Sequence, residues 1–321
     1  MHNIARAVFA AVFLAAGAIA VHTTVHAAAP IQKKQAAGYF RTMVGDFEVT
    51  ALYDGGVELD SSILGGDAAQ NRSLIERASD DPKRVSFSVA GYLVNTGAKL
   101  VLIDAGTGGH WGGPSLGKLA TNLRAAGHRP EQVDFVLLTH GHADHAGGIT
   151  STDGKRVFPN AQIKISKADS DFWLSKEIAS KAPEEAQIFF KAARDVAAPY
   201  QAAGTWSPFE GTGEIVPGIK PFPIAGHTPG HTGYEISSNG QSLLVWGDVV
   251  HMAAVQIPHP EVGIAYDIDS PAAIKAREAL FETLAANKTL VAGAHMPWPG
   301  LGRLRKETTG YTWLPIPFKD M

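Results

Sequence analysis

A dense group of possible metal ligands lies between residues 139 and 146, directly after an apolar stretch. It reads Thr139-His140-Gly141-His142-Ala143-Asp144-His145-Ala146, so three histidines and one aspartate fall within six positions. Imidazole nitrogens and carboxylate oxygens are ligands of zinc and of neighbouring divalent metals. Four such ligands exceed what one ion takes without strain, so the cluster predicts two ions side by side. The alternative is a solvated histidine-rich loop.

Three later segments each place one more ligand in a loop just past a predicted strand. His227 is held by a Pro-Gly turn, and Asp248 and His295 each follow an apolar run. A solvated loop does not account for these additional residues. They therefore favour the metal site.

Composition excludes several other chemistries. The chain contains no cysteine, which rules out disulfides, thiolate catalysis and cysteine-ligated metal. Its 28 basic and 31 acidic residues give a formal net charge of -3, without a lysine- or arginine-rich run. Nucleic acid is therefore not an expected partner, because the sequence has no run of basic residues that would bind along a phosphate backbone. The expected partner is a small molecule.

The N-terminus has the features of a secretory signal peptide. A basic start at residues 1–6 precedes an apolar stretch at 7–21, and small residues lead to Ala29. The apolar stretch is shorter than the ~20 residues that span a bilayer. We therefore expect residues 1–29 to be cleaved and residues 30–321 to reach the periplasm without stable membrane association. An uncleaved N-terminal anchor is the alternative.

Strands and helices alternate in both halves of the chain. The strands are predicted at 85–95, 99–104, 132–138, 215–224, 233–237, 242–246 and 289–292, and the helices at 116–126, 169–175, 184–198 and 271–287. An Asp-Gly pair within 47–59 predicts a hairpin with its turn at residues 53–56. No linker-like composition separates the halves, which indicates one α/β domain of two similar halves.

The order of the ligands resembles that of the metallo-β-lactamase superfamily. The pattern H-x-H-x-D-H followed by three single ligands is matched by His140, His142, Asp144, His145, His227, Asp248 and His295. The resemblance implies a four-layer αβ/βα sandwich with mixed sheets over residues 30–321. It also implies two metal positions, the first held by His140, His142 and His227 and the second by Asp144, His145 and His295. Asp248 would bridge them, together with a hydroxide.

The resemblance also assigns roles outside the ligand set. It implies that Asp104 orients a metal-bound histidine, with a simple turn cap as the alternative. His231, four positions after His227, is expected to support the turn or a ligand without binding metal itself. Zinc is the expected metal in both positions. Manganese, cobalt and iron are the alternatives, because availability often decides among them.

Further segments resemble the methyl parathion hydrolase group of this superfamily, which sits among lactonases, aryl esterases and organophosphate hydrolases. These segments are residues 38–41, 45–52, 91–97, 171–175 and 253–256. The likeness implies a homodimer and an aromatic-lined pocket. The candidate pocket residues are Trp111, Trp173, Phe189, Phe190 and Tyr266. Core or dimer packing is the alternative for each aromatic residue.

His251 and Tyr266 depart from that group, which carries apolar residues at both positions. An imidazole and a phenol beside the metals could donate to a carbonyl oxygen or a developing alkoxide, and they would narrow the space for a bulky phosphotriester. Asp248 and His251 are therefore the candidate catalytic residues. The predicted activity is hydrolysis of lactones or aryl esters. Organophosphate hydrolysis, with His251 an inert neighbour, is the alternative.

Rival functions with a similar ligand pattern are less favoured. Antibiotic-hydrolysing branches often replace one ligand of the set, which is complete here. Di-iron redox proteins of this fold normally carry a carboxylate where His142 stands. A non-catalytic structural metal site would be closed by fewer ligands. Glyoxalase-type thioester hydrolysis is compatible with the ligands but not with the flanking segments.

Overall fold

Two six-stranded sheets form the centre of the computed structural model, which describes residues 29–33 and 35–319. Residues from Ala37 onward cluster as one unit, and the described residues before it contain neither helix nor strand. The expected signal peptide at residues 1–29 lies almost entirely outside the described residues. Among the described helices, none is long and apolar enough to cross a membrane.

The first sheet is built by the first half of the chain. Its strands follow each other in sequence order: β1 Tyr39–Val44, β2 Phe47–Leu59, β3 Val85–Asn95, β4 Leu100–Ile103, β5 Phe135–Leu137 and β6 Gln162–Lys164. Strands β4, β5 and β6 pair in parallel, and the other pairs are antiparallel. The sheet is therefore mixed, with its parallel part next to the predicted ligand cluster.

The second sheet is built by the other half of the chain. Its strands are β7 Ile219–Pro223, β8 Thr232–Ser238, β9 Gln241–Val245, β10 Leu290–Ala292, β11 Leu301–Lys306 and β12 Tyr311–Pro315. Only β9 and β10 pair in parallel. The two halves of the chain thus each provide a six-stranded mixed sheet.

Eight α-helices flank the sheets. They are α1 Ala68–Arg77, α2 Leu119–Ala125, α3 Ala143–Ala146, α4 Lys167–Leu174, α5 Lys176–Lys181, α6 Glu184–Ala202, α7 Ala253–Gln256 and α8 Ser270–Asn287, in the part of the chain that the structure describes. Helix α8 begins at an N-cap, Asp269, whose side chain accepts the N–H of Ala272, with Pro271 in the first turn.

Alternating side chains explain the four layers. On β4, Leu102 packs with Leu123 and Val196 of the helices on one face, while Val101 packs toward the second sheet on the other. On β9, Leu243 faces the first sheet and Leu244 packs against α8. The parts of these strands that are covered on both faces are apolar, because alternate side chains enter two different cores. The predicted α/β class and four-layer sandwich are confirmed.

The predicted hairpin turn at residues 53–56 is wrong. These residues lie inside β2, which runs unbroken for 13 residues and bulges where Tyr53 and Gly55 pair with β3. Asp54 is buried and accepts the N–H groups of Thr107, Gly117 and Leu119. The Asp-Gly pair therefore marks a bulge at which Asp54 holds the distant loop of residues 107–119, and glycine is needed at position 55 because its φ is +145°.

Candidate metal centre

The seven predicted ligands lie in segments that follow strands of both sheets. His140 and His142 follow β5, and Asp144 and His145 lie on the short helix α3. Of the three single ligands, His227 lies just before β8, Asp248 follows β9 and His295 follows β10. The carboxyl ends of parallel strands collect such loops at one edge of a sheet. Both sheets present this edge to the same site, so residues from both halves meet.

The first group of ligand atoms consists of three imidazole nitrogens. Nδ1 of His142 lies 2.9 Å from Nε2 of His140 and 3.1 Å from Nε2 of His227. Oδ2 of Asp248 lies 3.3 Å from Nε2 of His227 and 3.7 Å from Nε2 of His140. Four donor atoms at these separations can surround one cation.

The second group contains the remaining three ligands. Nε2 of His145 lies 3.3 Å from Nε2 of His295, and Oδ2 of Asp144 lies 3.5 Å from the latter. The other oxygen of Asp248, Oδ1, is 3.0 Å from Nε2 of His145 and 3.2 Å from Nε2 of His295. Asp248 therefore directs one oxygen toward each group, as a carboxylate between two cations would.

Three of the five imidazoles in these groups donate their Nδ1 protons to acceptors outside the cluster. Nδ1 of His145 donates to Asp104 at 2.8 Å, Nδ1 of His227 to Asp267 at 3.0 Å and Nδ1 of His295 to the carbonyl of Ser88 at 2.8 Å. The Nε2 atoms of these three rings consequently face inward. Outer acceptors of this kind are the usual means of orienting histidine ligands.

An orphaned atom shows that the cluster fits cations. Oδ1 of Asp248 is buried and has no hydrogen-bond partner among the described residues. It faces Nε2 of His145 and of His295, and the carboxylates around these two rings, against the effect of burial, raise the pKa of both imidazoles. A buried carboxylate oxygen without a partner is costly. Divalent cations in both positions would supply the missing partner and take the place of protons on these rings, and the nitrogen and carboxylate donors suit zinc and its neighbours.

Burial favours the metal-binding form of the first group. It lowers the pKa of His142 to about 3, helped by neighbouring His227. It also lowers the pKa of His140 and His227 well below their usual range. Neutral imidazole is the form that donates its lone pair to a metal. These three rings are therefore in the neutral form that can coordinate a cation.

His231 and Asp104 support the cluster from outside. Nδ1 of His231 donates to the carbonyl of Ile224 at 3.0 Å, and its Nε2 accepts the backbone N–H of Asp248 at 2.9 Å. Both nitrogens of His231 are thus engaged, which leaves none for a metal. Asp104, besides holding His145, accepts the backbone N–H of Thr139 at 2.8 Å. His231 thereby positions the backbone of Asp248, and Asp104 positions the ring of His145.

The family model of the metallo-beta-lactamase superfamily matches residues 84–295, which include all seven ligands. The chain belongs to the metallo-beta-lactamase superfamily. The crystal structure of AbOPH, a hydrolase in the beta lactamase superfamily, is similar, with 38% identity and a TM-score of 0.85. That match covers 89% of this chain and all of AbOPH.

Two further relatives of this superfamily are lactonases. AidC, a dizinc quorum-quenching lactonase solved in complex with a product, has 27% identity and a TM-score of 0.81, covering 88% of this chain and 99% of AidC. An N-acyl homoserine lactonase of Bacillus cereus is 26% identical over 40% of this chain and 42% of that protein. This chain spans less than two thirds of the length of the curated relatives it matches first.

A cavity of about 270 Å³ opens onto the ligands of this metallo-beta-lactamase superfamily member. All five predicted aromatic candidates line it, namely Trp111, Trp173, Phe189, Phe190 and Tyr266. Phe189 and Tyr266 are 43% and 38% exposed and lie at its rim, whereas Trp173 and Phe190 are almost fully buried and pack against each other. Trp173 and Phe190 therefore form the wall of the cavity and part of the core at once.

His251 lies at the same cavity, beside the ligands. Its ring is 3% exposed, and Nε2 is 3.1 Å from Oδ2 of Asp248. The rings of His251 and Tyr266 are 6.4 Å apart. The structure thus places His251 and Tyr266, the two residues that depart from the methyl parathion hydrolase group, on the side of the ligand cluster that faces the cavity.

Four residues important to the site were missed by the sequence analysis. Phe87 stacks on His295 with ring centroids 4.0 Å apart and lines the cavity. Asp267 orients His227, Ser88 accepts from His295 through its carbonyl, and Asp169 accepts the N–H groups of two ligand loops. Asp267 lies in a run that reads as a helix N-cap, and Ser88 acts through its backbone. Neither carries a local signal.

Proposed function

We propose that the protein is a binuclear metal-dependent hydrolase of lactones and aryl esters. Superfamily membership and the two donor groups support the hydrolase class. The observation that carries the substrate class is the small aromatic cavity, in which His251 and Tyr266 stand beside the ligand cluster. AidC, with which the chain shares its fold over most of its length, is a lactonase.

The chain's own residues would hold the metals and the nucleophile in place. When bound, two divalent cations would supply Lewis acidity and a water whose pKa is lowered toward neutrality. Asp248 lies between the donor groups, and its Oδ1 has no protein partner among the described residues. Its place between the two groups would fix the position of that water and orient it toward the substrate.

The aromatic walls would bind the apolar part of the substrate and exclude bulk water. Phe87, Trp111 and Phe189 present rings to the cavity, and Ile268 is partly exposed at its rim. Burial of an aryl ring or acyl chain here is favourable at roughly 25 cal/mol per Å². Exclusion of water also strengthens every electrostatic interaction at the reacting carbonyl.

The polar residues of the cavity favour a planar carbonyl over a phosphotriester. The ring of His251 fills space next to Asp248, and the phenol of Tyr266 stands at the rim. Esters react through a compact tetrahedral intermediate, whereas a phosphotriester carries three substituents around phosphorus. A cavity of about 270 Å³ that is lined by these two side chains suits the smaller centre.

The test is kcat/KM of the zinc-loaded protein on dihydrocoumarin, an acyl-homoserine lactone and methyl paraoxon. We expect a lactone to exceed the phosphotriester by about a hundredfold, which equals about 2.7 kcal/mol in transition-state stabilisation. Asp248→Asn should remove most turnover of every substrate. Phosphotriester turnover equal to or above lactone turnover would favour the organophosphate hydrolase alternative.

We also propose that the protein is exported to the periplasm and acts as a homodimer. The support for export is the basic and apolar pattern of residues 1–29, and the support for the dimer is the resemblance to the methyl parathion hydrolase group. N-terminal sequencing of the protein recovered from the periplasmic fraction tests the first proposal. Light scattering of the purified protein tests the second, and a mass near one chain would contradict it.

A further inference from the structure

His251 is a buried imidazole with no hydrogen bond to hold its ring. Neither Nδ1 nor Nε2 has a hydrogen-bond partner among residues 29–33 and 35–319. The ring is nevertheless almost fully buried, with Nε2 3.1 Å from Oδ2 of Asp248. A buried polar group that is left unpaired destabilises the folded protein. The ring therefore needs a partner that the protein atoms do not supply.

The neighbouring imidazoles differ from His251 in this respect. His145, His227 and His295 each donate Nδ1–H to an oxygen outside the cluster. His231 uses both nitrogens on backbone groups. Nothing comparable fixes the proton of His251, so either of its nitrogens is free to serve as an electron-pair donor.

The backbone of His251, in contrast, is firmly held. Its N–H donates to Oε1 of buried Gln256 at 2.7 Å, and the same oxygen accepts the N–H of Met252 at 3.2 Å. Nε2 of Gln256 in turn donates to the carbonyl of Val262 at 3.0 Å. A fixed backbone thus presents an unengaged imidazole to the cluster.

We propose that His251 is a further metal ligand, which forms a third donor group with Asp248 and His295. One donor atom from each of these three residues lies within 4.8 Å of the others. Donors bonded to one zinc ion at ~2.0–2.2 Å lie at or inside such separations. His251 is thus an eighth ligand beside the seven that match the superfamily pattern. The proposal goes beyond the proposed function, because it holds for any substrate.

The position of His251 determines what this ligand does. Asp248, His251 and His295 all line the cavity, so the third donor group lies on the substrate side of the cluster. A nitrogen ligand there reduces the number of coordination positions left for water and substrate.

The experiment compares metal binding by the wild type, His251→Leu, His251→Gln and a control, His259→Leu. His259 is a loop histidine that contacts Gln70 and Glu261 and lies outside the donor groups. Cobalt(II)-loaded proteins are compared by the hyperfine-shifted imidazole proton resonances. Zinc affinity is measured by competition with a chromogenic chelator. Neither readout requires a substrate, so it remains informative if the lactonase proposal fails.

We expect both His251 variants to lose one set of shifted imidazole resonances and to bind one zinc ion at least tenfold more weakly. The His259→Leu control should match the wild type. Retention of every resonance and of affinity within twofold in His251→Leu would overturn the proposal. So would rescue by His251→Gln, because an amide can donate to Asp248 but is a poor zinc ligand.

A second measurement covers the case in which the variants fail to fold. The crystal structure of the wild-type protein loaded with zinc gives the distance from the ring of His251 to the cation directly. A Zn–N distance of about 2.0–2.1 Å supports ligation. A distance above about 3 Å would overturn it, since the ring of His251 would then lie beside Asp248 without coordinating the cation.

Discussion

The carboxylate of Asp169 is bonded to the backbone of Gly141, whose N–H it accepts through Oδ2 at 2.7 Å. Gly141 separates the ligands His140 and His142. The other oxygen of Asp169 accepts the N–H of Gly230 at 3.0 Å, in the loop that carries His227. Burial raises the pKa of Asp169 to about 6. One carboxylate on α4 thus connects the two loops that supply the first donor group.

Asp169→Asn should weaken both the fold and the metal site. An amide offers only one acceptor oxygen, so one of the two backbone donors would face an NH₂ group. We expect the free energy of unfolding of the metal-free protein to fall by about 1–3 kcal/mol. Zinc affinity should fall about tenfold, as is common for residues that support ligands. Urea unfolding and chelator competition measure the two effects.

Asp171→Asn is the matched control for that variant. Asp171 lies on the same helix, and its carboxylate is 61% exposed beside Lys167. Its replacement should change the free energy of unfolding by less than ~0.5 kcal/mol. Equal effects of the two substitutions would show that loss of charge on α4, and not the two backbone contacts, is responsible.

Asp104→Asn and Asp267→Asn should each weaken a different metal position. Asp104 orients His145 of the second donor group, and Asp267 orients His227 of the first. Asparagine tolerates the positive φ of +57° at residue 104, so the backbone can be kept. We expect a loss of about 10–100-fold in affinity at the affected position.

Crystals grown with one zinc ion per chain would show which position stays occupied. Asp104→Asn should retain zinc between His140, His142 and His227. Asp267→Asn should retain it at the position of Asp144, His145 and His295. Loss at the same position in both variants would contradict the separate roles of the two aspartates.

Phe189→Ala and Phe190→Ala should separate binding from folding. Phe190 is almost fully buried against Trp173, so its removal should cost about 3–5 kcal/mol of stability. Phe189 is 43% exposed at the rim of the cavity. Its removal should leave stability within about 1 kcal/mol and raise KM for esters with a long apolar acyl group. A large loss of stability in Phe189→Ala, without a change in KM, would assign it to packing.

Metal removal should lower the melting temperature of the protein. A ligand that binds only the folded state stabilises it by about 2.7 kcal/mol when present at a hundred times its Kd. The melting temperature should therefore rise with zinc concentration after chelator treatment. Asp248→Asn, which alters the carboxylate between the donor groups, should flatten this dependence. A melting temperature independent of zinc in the wild type would argue against a metal centre.

The ligands could be predicted from the sequence because each has a local signal. His140, Asp248 and His295 all follow apolar strands, and such strands end where polar side chains are first tolerated. The supporting residues have no such signal. Asp267 reaches His227 across 40 positions, and Asp169 reaches the backbone of Gly141 across 28. Only the packing of the folded chain brings these pairs together.

Local signals also failed where a tertiary contact overrode them. The Asp-Gly pair at residues 54 and 55 has the composition of a hairpin turn. In the structure the carboxylate of Asp54 is buried by the loop of residues 107–119, whose N–H groups it accepts. These donors are more than 50 positions away, so the sequence near residue 54 does not predict the contacts.

Each cation would take its ligands from both halves of the chain, and this bears on when metal can bind during folding. His140 and His295 are separated by 155 positions (295 minus 140), and neither half of the chain carries all the ligands of either cation. Neither complete set of ligands exists until the two sheets have met, so we expect full metal loading to follow the docking of the two halves. If the chain is exported before it folds, the metals available in the receiving compartment would determine which ion is bound.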